Sequence, residues 1–401
     1  MGSYKNIFEN IATRTNGDIY LGVVGPVRVG KSTFISNFMK HLVVPNIENS
    51  YEKQRVIDEL PQAADGTAVM TTQPKFVPSK AISIKSGANS MRVRLIDCVG
   101  FMVDGATGQT VDGKVRNVKT PWSENEMPFD KAAEIGTKKV IKDHSTIAVA
   151  VTTDGTITDI PRKNYAAAEE KVIMGLKQYG KPFVVVVNSR QPDSVDCKKV
   201  CKGIADKFSV PVLSMDFENL TNTDINRIFE SILAEFPVTG FKVDIPKWMQ
   251  VFEPTHGVIA DALDRLRNYT KTVNKIADNN PATAFDGSEY FDTMETETID
   301  IATGTITYNL VPKADLYYRV LSNECGAEID DEQKLVAYLR LVSGTAREYG
   351  KLKKALDDAD STGYGVVVPT LDTFKLDTPR LHKNGRSYGL KLRATAPSLH
   401  I

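Results

Sequence analysis

A glycine-rich stretch near the start of the chain has the residue types and spacing of a phosphate-binding loop. The stretch GVVGPVRVGKST (22–33) fits G-x-x-x-x-G-K-[ST] through Gly25, Gly30, Lys31 and Ser32. In such loops, successive backbone N–H groups and a helix N-terminus form a concavity of positive potential that binds phosphate oxygens. We therefore expect Lys31 to reach the β- and γ-phosphates of a nucleotide, and the Ser32 hydroxyl to bind Mg²⁺.

A carboxylate for the same metal follows an apolar strand further along the chain. In RLIDCVG (94–100), Asp97 ends the strand and Gly100 completes the pattern D-x-x-G. Phosphate-loop enzymes hold Mg²⁺ with a loop hydroxyl and an aspartate of this kind. In their GTPase branch, the glycine N–H senses the γ-phosphate. We therefore expect Asp97 beside the metal and Gly100 beside the γ-phosphate.

A threonine that closes over Mg²⁺ and the γ-phosphate is expected in the long stretch before the strand that carries Asp97. Thr71 and Thr72 in VMTTQPKF hold that position, and Thr67 is a third, less well placed candidate. The predicted catalytic residues are Lys31, Thr71, Thr72 and Asp97. The predicted metal ligands are Ser32, Thr72 and Asp97. The predicted nucleotide contacts are Gly25, Val29, Gly30, Lys31, Ser32, Thr33, Gly100 and Asn188.

The segment expected to read the base departs from the guanine pattern N-K-x-D. It is NSRQPD (188–193), in which Asn188 is kept and Ser189 replaces the lysine. Gln191 stands in place of the aspartate, and Asp193 lies two residues late. An aspartate is needed there because it accepts hydrogen bonds from the guanine ring N–H and exocyclic amine. The sequence therefore favours ATP over GTP.

Two further residues bear on turnover. Phe101 follows Gly100, where many GTPases carry a glutamine that orients the attacking water. Because an apolar side chain cannot orient water, we expect slow turnover and a water-positioning group from elsewhere, such as the threonine loop or another subunit. Arg28 lies inside the phosphate loop and is either a charge-stabilising group or a solvated side chain.

The elements around these residues alternate, which predicts an α/β fold with a mostly parallel sheet. The predicted strands are 18–25, 81–86, 91–98, 146–153, 182–189 and 210–215, of which the second and third form a hairpin. A helix is predicted directly after the phosphate loop. Further helices are predicted at 128–143, 161–179, 196–207 and 221–235. Two irregular stretches, 43–76 and 100–128, interrupt this scheme and are expected at the nucleotide edge of the sheet.

The alternation stops near EFPVTGFKVDIPKW (235–248), where we predict a domain boundary. Residues 1–237 then form a phosphate-loop ATPase domain, and residues 238–401 form an α+β middle domain. The second part is predicted to hold helices at 256–278, 314–323 and 330–358, a strand pair within 289–311, and two strand patterns, 364–377 and 387–401. Because the last residues still have a strand pattern, we expect the natural chain to continue.

The composition excludes several classes of protein. Lys plus Arg and Asp plus Glu each number 50, so the chain lacks the basic excess of nucleic-acid-binding proteins. The four cysteines lack C-x-x-C spacing, and the five histidines lack partners at metal-ligand spacing. No run of 18 apolar residues and no signal-peptide pattern is present. We therefore expect a cytoplasmic protein with reduced thiols.

Several long stretches resemble the stage IV sporulation protein A family of endospore-forming Firmicutes, over essentially all 401 residues. These stretches are TRTNGDIYLGVVGPVRVGKSTF, DELPQAADG, MTTQPKFVP, LIDCVGF, AAEIGTKKVIKDHSTIAVAVTTDGTI, TGYGV and APSLHI. The resemblance implies an ATPase whose fold is similar to translation-factor-class GTPases. It also matches Lys31 to the phosphate-loop lysine, Asp97 to the metal-side carboxylate, and Thr71 with Thr72 to the nucleotide-sensing threonines.

The resemblance further implies that ATP hydrolysis changes the conformation and drives self-assembly into a static polymer. That polymer is the basement layer of the spore coat, on the mother-cell side of the forespore. The implied partners are further copies of the chain, a small amphipathic peptide that marks the membrane, and other coat morphogenetic proteins. Contact with the membrane is peripheral and only through a partner. Since family members extend beyond the position of Ile401, this chain is expected to lack a region used for assembly.

Three other functions remain open at this point. A regulatory GTPase would need a guanine contact that NSRQPD does not provide. A small-molecule kinase would need an acceptor pocket, and the D-x-x-G and threonine-loop arrangement disfavours it. A structural protein that merely binds the nucleotide is also compatible, because a phosphate loop indicates binding more surely than turnover.

Overall fold

The computed structural model describes residues 10–61, 74–86, 89–106, 110–111, 114–120 and 123–401. The chain divides into two compact units, of which the first ends at Val311 and the second runs from Pro312 to Ile401. The predicted domain boundary after residue 237 lies inside the first unit and stays a prediction. Thr67, Thr71 and Thr72 lie outside the described residues.

A six-stranded sheet of order β10-β9-β8-β1-β3-β2 forms the centre of the first unit. Its strands are β1 (Asp18–Val24), β2 (Lys75–Ser86), β3 (Asn89–Asp97), β8 (Ile147–Thr153), β9 (Phe183–Asn188) and β10 (Val212–Met215). All neighbours pair in parallel except β2 and β3, which form an antiparallel hairpin at one end of the sheet. The predicted mostly parallel α/β sheet and the predicted hairpin are therefore confirmed.

The central strands are continuous apolar runs because both of their faces are covered. Every residue of β8 and of β9 is buried. Strands with both faces buried show runs of Val and Ile rather than the alternation of a half-exposed strand. The helices that follow the strands are α1 (Lys31–Phe38), α3 (Phe129–Lys139), α4 (Ala166–Gln178), α5 (Val195–Phe208) and α6 (Asn222–Ala234). Each of them matches a predicted helix, and α5 extends one residue beyond the predicted bounds, 196–207, at each end.

The two stretches predicted to be irregular contain regular structure, which corrects that expectation. In the first, α2 (Ser50–Glu59) begins after Asn49, whose side chain accepts hydrogen bonds from the N–H groups of Tyr51 and Glu52. This helix is polar on almost all sides, with Val56 as its buried residue, so it lacks the apolar periodicity of a packed helix. In the second stretch, short strands pair as β4 with β5 and as β6 with β7. Their bounds are Thr110–Val111, Lys114–Val115, Asn117–Thr120 and Ser123–Pro128.

Residues beyond 237 pack against the first part of the chain within the first unit. The Lys275 ammonium forms an ion pair with the Glu235 carboxylate at 2.8 Å. The Arg14 guanidinium donates to the Pro237 carbonyl at 2.9 Å. This part of the chain contains β11 (Gly240–Asp244), α7 (Gly257–Thr270), β12 (Phe291–Asp300) and β13 (Thr305–Pro312), and its three-stranded sheet has the order β11-β13-β12. The predicted strand pair is confirmed, and the predicted long helix ends earlier, at Thr270.

The second unit is built around one long helix. It contains α8 (Leu316–Cys325) and α9 (Glu332–Thr362), both of which were predicted. The two predicted C-terminal strand patterns are broken into short strands, which is a second correction. These strands are β14 (Val366–Val367), β15 (Lys375–Leu376), β17 (Ser387–Lys391), β18 (Ala394–Thr395) and β19 (Leu399–His400). Between the two patterns lies β16 (Arg380–Asn384), where no strand was predicted. Over the described parts of both units, no helix combines the length and apolar character needed to cross a bilayer.

Candidate nucleotide-binding site

The phosphate loop and Asp97 lie at the same edge of the central sheet. β1 and β3 are parallel neighbours, and their register pairs Val23 with Asp97. The loop that follows Val24 and the loop that follows Asp97 therefore leave the sheet side by side. The carboxyl edge of a parallel sheet is where nucleotides bind in α/β proteins, so the register brings the two predicted motifs together.

Two glycines of the loop approach neighbouring strands too closely for a side chain. A Cβ at Gly25 would lie 2.2 Å from the Val151 carbonyl oxygen. Gly30 has φ +89°, and a Cβ there would lie 2.4 Å from Asn188 Nδ2. The glycines of the motif are therefore needed for the packing of the loop on β8 and β9, in addition to any approach of a phosphate.

The Lys31 ammonium is buried and is held by its own loop. Lys31 is the first residue of α1 and is 6% exposed. Its Nζ donates to the Pro26 carbonyl at 2.5 Å and to the Gly25 carbonyl at 3.4 Å. Burial lowers the pKa of Lys31, and the neighbouring Cys98 and Asp97 oppose that shift. A buried cation bound only by neutral carbonyls gains from an anionic ligand.

The Ser32 hydroxyl and the Asp97 carboxylate form the pair that would hold a metal ion. Ser32 Oγ donates to Asp97 Oδ2 at 2.8 Å. Burial raises the pKa of the Asp97 carboxyl, while the charge of Lys31 and the hydrogen bond from Ser32 lower it. Both groups are hard oxygen donors, which suits Mg²⁺, an ion that keeps several waters and uses few protein ligands. The residues therefore fit Mg²⁺.

Mg²⁺ bound together with substrate phosphates does not require a dedicated protein cage. Within the described ranges, no group of three or more His, Cys, Asp or Glu side chains could hold a metal ion. A two-ligand site completed by phosphate and water is therefore the arrangement that these residues offer.

The D-x-x-G segment closes directly on the phosphate loop. The Phe101 N–H donates to the Gly25 carbonyl at 3.3 Å, and the Val27 N–H donates to the Phe101 carbonyl at 2.9 Å. Gly100 has φ +94°, and a Cβ there would lie 2.2 Å from the Gly25 oxygen and 2.6 Å from Lys31 Nζ. The two motifs are therefore in backbone contact, and a displacement of one is transmitted to the other.

Phe101 itself is 5% exposed and belongs to the apolar core. The Lys171 ammonium of α4 lies 6.0 Å from its ring centroid. A buried phenyl ring can exclude water but cannot hydrogen-bond it. Orientation of an attacking water must therefore come from another group, as the sequence indicated.

Asn188 connects the phosphate loop to the loop after β10. Its Nδ2 donates to the Val29 carbonyl at 3.1 Å, and its Oδ1 accepts from the Phe217 N–H at 3.2 Å. Asn188 is 5% exposed. Both ends of the amide are therefore occupied by backbone groups, which fixes the height of the loop above the sheet. A direct contact of Asn188 with the nucleotide stays a prediction.

The residues in the place of the guanine reader are tied to one another. Ser189 Oγ donates to Asp154 Oδ2 at 2.6 Å, and the Gln191 N–H donates to Ser189 Oγ at 3.0 Å. The same Asp154 side chain accepts from Thr156. Asp154 and Phe217 were not predicted from the sequence. The signal for Asp154 was its position directly after the buried strand β8, matching Asp97 after β3.

A cavity of about 570 Å³ lies beside the first turns of α1. Its lining mixes polar and apolar side chains and comes from α1, the end of α2 and the residues that follow these helices. The lining residues are Thr33, Ser36, Asn37, Lys40, Ile57, Asp58, Leu60 and Pro61. Thr33 also follows Ser32 in the helix, so the cavity adjoins the predicted phosphate site.

Tyr165 packs beneath the same edge of the sheet. Its ring is fully buried, and its hydroxyl is 2.9 Å from Thr158 Oγ1. Burial raises the pKa of the Tyr165 phenol, and the hydrogen bond with Thr158 and the positive charges of Arg28 and Arg162 lower it.

Comparison with known proteins gives matches over the whole chain. Residues 1–237 match the family model described as "Stage IV sporulation protein A, ATPase domain", and residues 238–401 match "Stage IV sporulation protein A, middle domain". The chain is 44% identical to the "Stage IV sporulation protein A" of Clostridioides difficile (strain 630) over 399 residues, which are 99% of this chain and 81% of the relative. The proteins of the same name from Bacillus anthracis and Bacillus subtilis (strain 168) are 41% and 39% identical over 398 residues, with the same two coverages.

Proposed function

Because the chain belongs to the stage IV sporulation protein A family, we propose that it is an Mg²⁺-dependent ATPase. We propose further that hydrolysis changes its conformation and drives its self-assembly into the basement layer of the bacterial spore coat. The observation that supports hydrolysis most directly is the contact of 2.8 Å between the Ser32 hydroxyl and the Asp97 carboxylate. It joins two of the three predicted metal ligands next to the buried Lys31 ammonium.

Each of these residues has a distinct task in the proposed reaction. The first turn of α1 presents backbone N–H groups and the Lys31 ammonium to the phosphates. Ser32 and Asp97 hold Mg²⁺, which, when bound, neutralises negative charge on the phosphate oxygens. The Gly100 N–H is next to Lys31 and reports whether the γ-phosphate is present. Phe101 keeps bulk water away from that side.

The fold proposed for the ATPase domain is the translation-factor class of GTPases with a changed base specificity. The hairpin of β2 and β3 and the D-x-x-G segment after β3 support this assignment. Ser189 and its partner Asp154 occupy the place of the guanine reader. Without a carboxylate at position 191, the segment lacks the group that accepts from both the ring N–H and the exocyclic amine of guanine, which supports ATP as the substrate.

The proposed switch follows from the backbone contacts of the D-x-x-G segment. Phe101 hydrogen-bonds to the backbone on both sides of Pro26, so a change at the γ-phosphate would move the segment and the residues that follow it. Thr71 and Thr72, which precede β2, are proposed to sense the same phosphate. Segments that are ordered by a γ-phosphate and released on hydrolysis are a general way to couple turnover to subunit contacts.

The proposed partners and location are those that the family resemblance implies. They are further copies of the chain, a small amphipathic membrane-anchoring peptide and other coat morphogenetic proteins. Nucleic acid is not among them, since positive and negative side chains are equal in number. The proposed location is the mother-cell cytoplasm at the outer surface of the forespore, with membrane contact only through a partner.

One experiment tests the proposed ATPase activity and distinguishes it from two other functions. Phosphate release by the purified chain is measured with Mg·ATP and Mg·GTP side by side, with Lys31→Ala as the blank and EDTA as the metal-free control. Slow ATP turnover that the variant and EDTA both abolish is the expected result. Faster turnover of GTP would favour a regulatory GTPase. Tight nucleotide binding without phosphate release would favour a structural nucleotide-binding protein.

Assembly is tested separately by sedimentation of the full-length natural protein after incubation with ATP. ATP is expected to move the chain into the pellet, whereas ADP and the Lys31→Ala variant are expected to leave it in the supernatant. Pelleting that does not depend on nucleotide would contradict the proposed coupling of turnover to assembly.

A further inference from the structure

Among the residues assigned so far to the proposed site, Lys31 is the one cation that would contact the γ-phosphate. Phosphoryl transfer spreads negative charge over the γ-phosphoryl oxygens, and a second cation that contacts them accelerates it strongly. The Lys31 ammonium is anchored to the Pro26 carbonyl at 2.5 Å. The residue after Gly100 is a buried phenylalanine. A further positive group is therefore needed near the loop.

Arg28 is held in an unusual backbone conformation within this loop. Its φ is +61°, in the left-handed region that arginine rarely adopts. Both neighbours are fixed from opposite sides: the Val27 N–H donates to the Phe101 carbonyl, and the Val29 carbonyl accepts from Asn188. Strain that the surroundings enforce in this way is concentrated at functional sites.

The burial of the loop residues singles out Arg28. Val27 and Val29 are 1% and 0% exposed and pack into the core, whereas Arg28 is only partly buried. The loop carries two cations, Lys31 and Arg28, and Lys31 is only 6% exposed. Arg28 is therefore the cation of the loop that the core does not enclose.

Arg28 has no anionic partner among the described residues. The acidic side chain of Glu169 on α4 accepts from Arg162 at 3.0 Å and from the Thr152 hydroxyl at 2.6 Å. Both of its oxygens are thus occupied by other donors. In the described part of the chain, Arg28 forms no hydrogen bond or ion pair of its own, although it is partly buried.

We propose that Arg28 is a catalytic residue that contacts the γ-phosphoryl oxygens in the transition state of ATP hydrolysis. This inference rests on the proposed ATPase function. In the reaction, water attacks the γ-phosphorus, and the bond from that phosphorus to the β,γ-bridging oxygen breaks. ADP leaves with the bonding electron pair, and the proton of the water is released with the inorganic phosphate. The planar guanidinium offers paired donors to two phosphoryl oxygens at once.

The test compares Arg28→Gln, Arg28→Lys and Arg28→Gly with the matched control Lys163→Gln. Lys163 is an exposed cation two residues before Tyr165, so its loss changes the local net charge without touching the loop. Turnover of Mg·ATP is measured together with the affinities for ADP and for ADP with aluminium fluoride, which mimics the transferring phosphoryl group. The two affinities give a readout that does not depend on turnover.

The expected result for Arg28→Gln is a loss of turnover of at least about 1000-fold, the lower end of the range seen for arginines of this role. Its affinity for ADP should stay within about threefold, while its affinity for ADP with aluminium fluoride falls by a factor similar to the loss in turnover. Arg28→Lys should lose less, because it keeps the charge. Arg28→Gly should lose as much as Arg28→Gln although it relieves the backbone strain. Lys163→Gln should match the wild type.

Three outcomes would overturn the inference. Turnover of Arg28→Gln within about threefold of the wild type would exclude a role for the guanidinium. Equal losses of affinity for ADP and for ADP with aluminium fluoride would show that Arg28 binds the ground state and the transition state equally. Full activity of Arg28→Gly would show that the losses in Arg28→Gln and Arg28→Lys come from backbone strain at residue 28 and not from the missing guanidinium. Each of these leaves the ATPase proposal intact, whereas a wild-type chain without turnover would overturn both proposals.

Discussion

The central sheet and helix α9 differ in how far their apolar side chains are buried. Every residue of β8 and β9 is buried, whereas Ala355 is the one buried residue among the 31 of α9. Residues 339–351 of this helix are exposed without interruption, and they include Leu339, Leu341 and Val342. The apolar residues of the sheet thus form an internal core, and those of α9 remain at the surface of the chain.

This difference predicts that substitutions in the sheet and substitutions in α9 have different consequences. In the described part of the chain, most of the large apolar side chains that stay exposed lie between Val336 and Ile401. The sheet edge, by contrast, keeps even charged groups such as Lys31 out of water. Substitutions at the sheet should therefore affect folding and nucleotide chemistry together, whereas matched substitutions in α9 should leave both nearly unchanged.

The largest effect is expected from the core of the sheet. Leu21 in β1 is fully buried, and Leu339 in α9 is 54% exposed. Leu21→Ala should lower the free energy of unfolding by about 2–5 kcal/mol, because the lost side chain leaves a cavity. Leu339→Ala should stay within about 0.5 kcal/mol of the wild type. The measurement is urea unfolding.

Two spectroscopic probes report separately on the two regions in the urea experiment. Tryptophan fluorescence reports on the first unit, since both tryptophans, Trp122 and Trp248, precede its end at Val311. Far-UV circular dichroism adds the helical signal of α9. Similar losses from Leu21→Ala and Leu339→Ala would show that α9 is buried in solution and would remove the contrast.

Next in size is the effect of a methyl group at Gly100. Because a Cβ there would lie 2.2 Å from the Gly25 oxygen and 2.6 Å from Lys31 Nζ, Gly100→Ala should displace the phosphate loop. A shift of about 1 Å at a reacting centre can cost about 100-fold, so kcat/KM for ATP should fall at least that far. The matched change in α9 is Gly344→Ala, where nothing lies within 4 Å of the added Cβ.

Gly344→Ala should leave turnover unchanged and stabilise the helix by about 1 kcal/mol, through helix propensity alone. Phosphate release measures the first effect, and thermal unfolding followed by circular dichroism measures the second. Normal turnover of Gly100→Ala would mean that the D-x-x-G segment moves away from the phosphate loop in solution.

A smaller effect is expected from a single buried amide. Asn188→Ala leaves the Val29 carbonyl and the Phe217 N–H without their partner, which should cost about 1–3 kcal/mol of stability. Nucleotide affinity should fall by about 10-fold, the equivalent of about 1.4 kcal/mol, because the height of the loop is no longer fixed. A fluorescent-nucleotide titration measures this change.

The comparison in α9 is Thr345, whose exposed hydroxyl donates to the Leu341 carbonyl at 3.0 Å. Thr345→Ala should change stability by less than about 0.5 kcal/mol, since water replaces the lost hydrogen bond. Wild-type stability and affinity of Asn188→Ala would contradict the anchoring role of the amide.

The smallest effect concerns the charge of Asp97 and depends on pH. Burial raises the pKa of this carboxyl above its ordinary value of 3.8. Its contribution to stability is therefore fully present below the unfolded pKa and is lost as the pH rises through the folded one. Asp97→Asn cannot ionise, so its stability relative to the wild type should rise across that window.

Urea unfolding of both proteins in EDTA between pH 4 and pH 8 measures this difference. Addition of Mg²⁺ and ATP should reverse the ranking at neutral pH, because the ionised wild-type carboxylate then stabilises the complex. A difference that does not change with pH would show that the Asp97 carboxylate is solvated in the nucleotide-free protein.

Much of the site was predictable because its signals are local in sequence. The spacing of Gly25, Gly30 and Lys31 and the apolar strand before them predicted the loop, the helix that follows it and their position at a sheet end. The position of Asp97 after a second apolar strand predicted its neighbourhood to Ser32, which the contact of 2.8 Å confirms. Parallel strands end at the same edge, so two such local signals meet there.

Other features were missed although a local signal was present. The helix α2 was not predicted because its residues are polar on nearly all sides, yet Asn49 is a favourable residue for the start of a helix. The strand β16 was not predicted, because it lies between the two predicted strand patterns, although the Asn–Gly pair at 384–385 is typical of a tight hairpin turn. The structure pairs β16 with β17 around that turn, where Gly385 has φ +63°.

The sequence by itself determined the phosphate loop, the order of strands and helices and the family, because each depends on residues that are close together along the chain. Only the tertiary structure decided what the remaining groups contact. The amide of Asn188 bridges residues 159 and 29 positions away, and Arg28 has its left-handed conformation because Phe101 and Asn188 hold its neighbours. Contacts across such distances depend on how strands pack and register, and no local spacing encodes them.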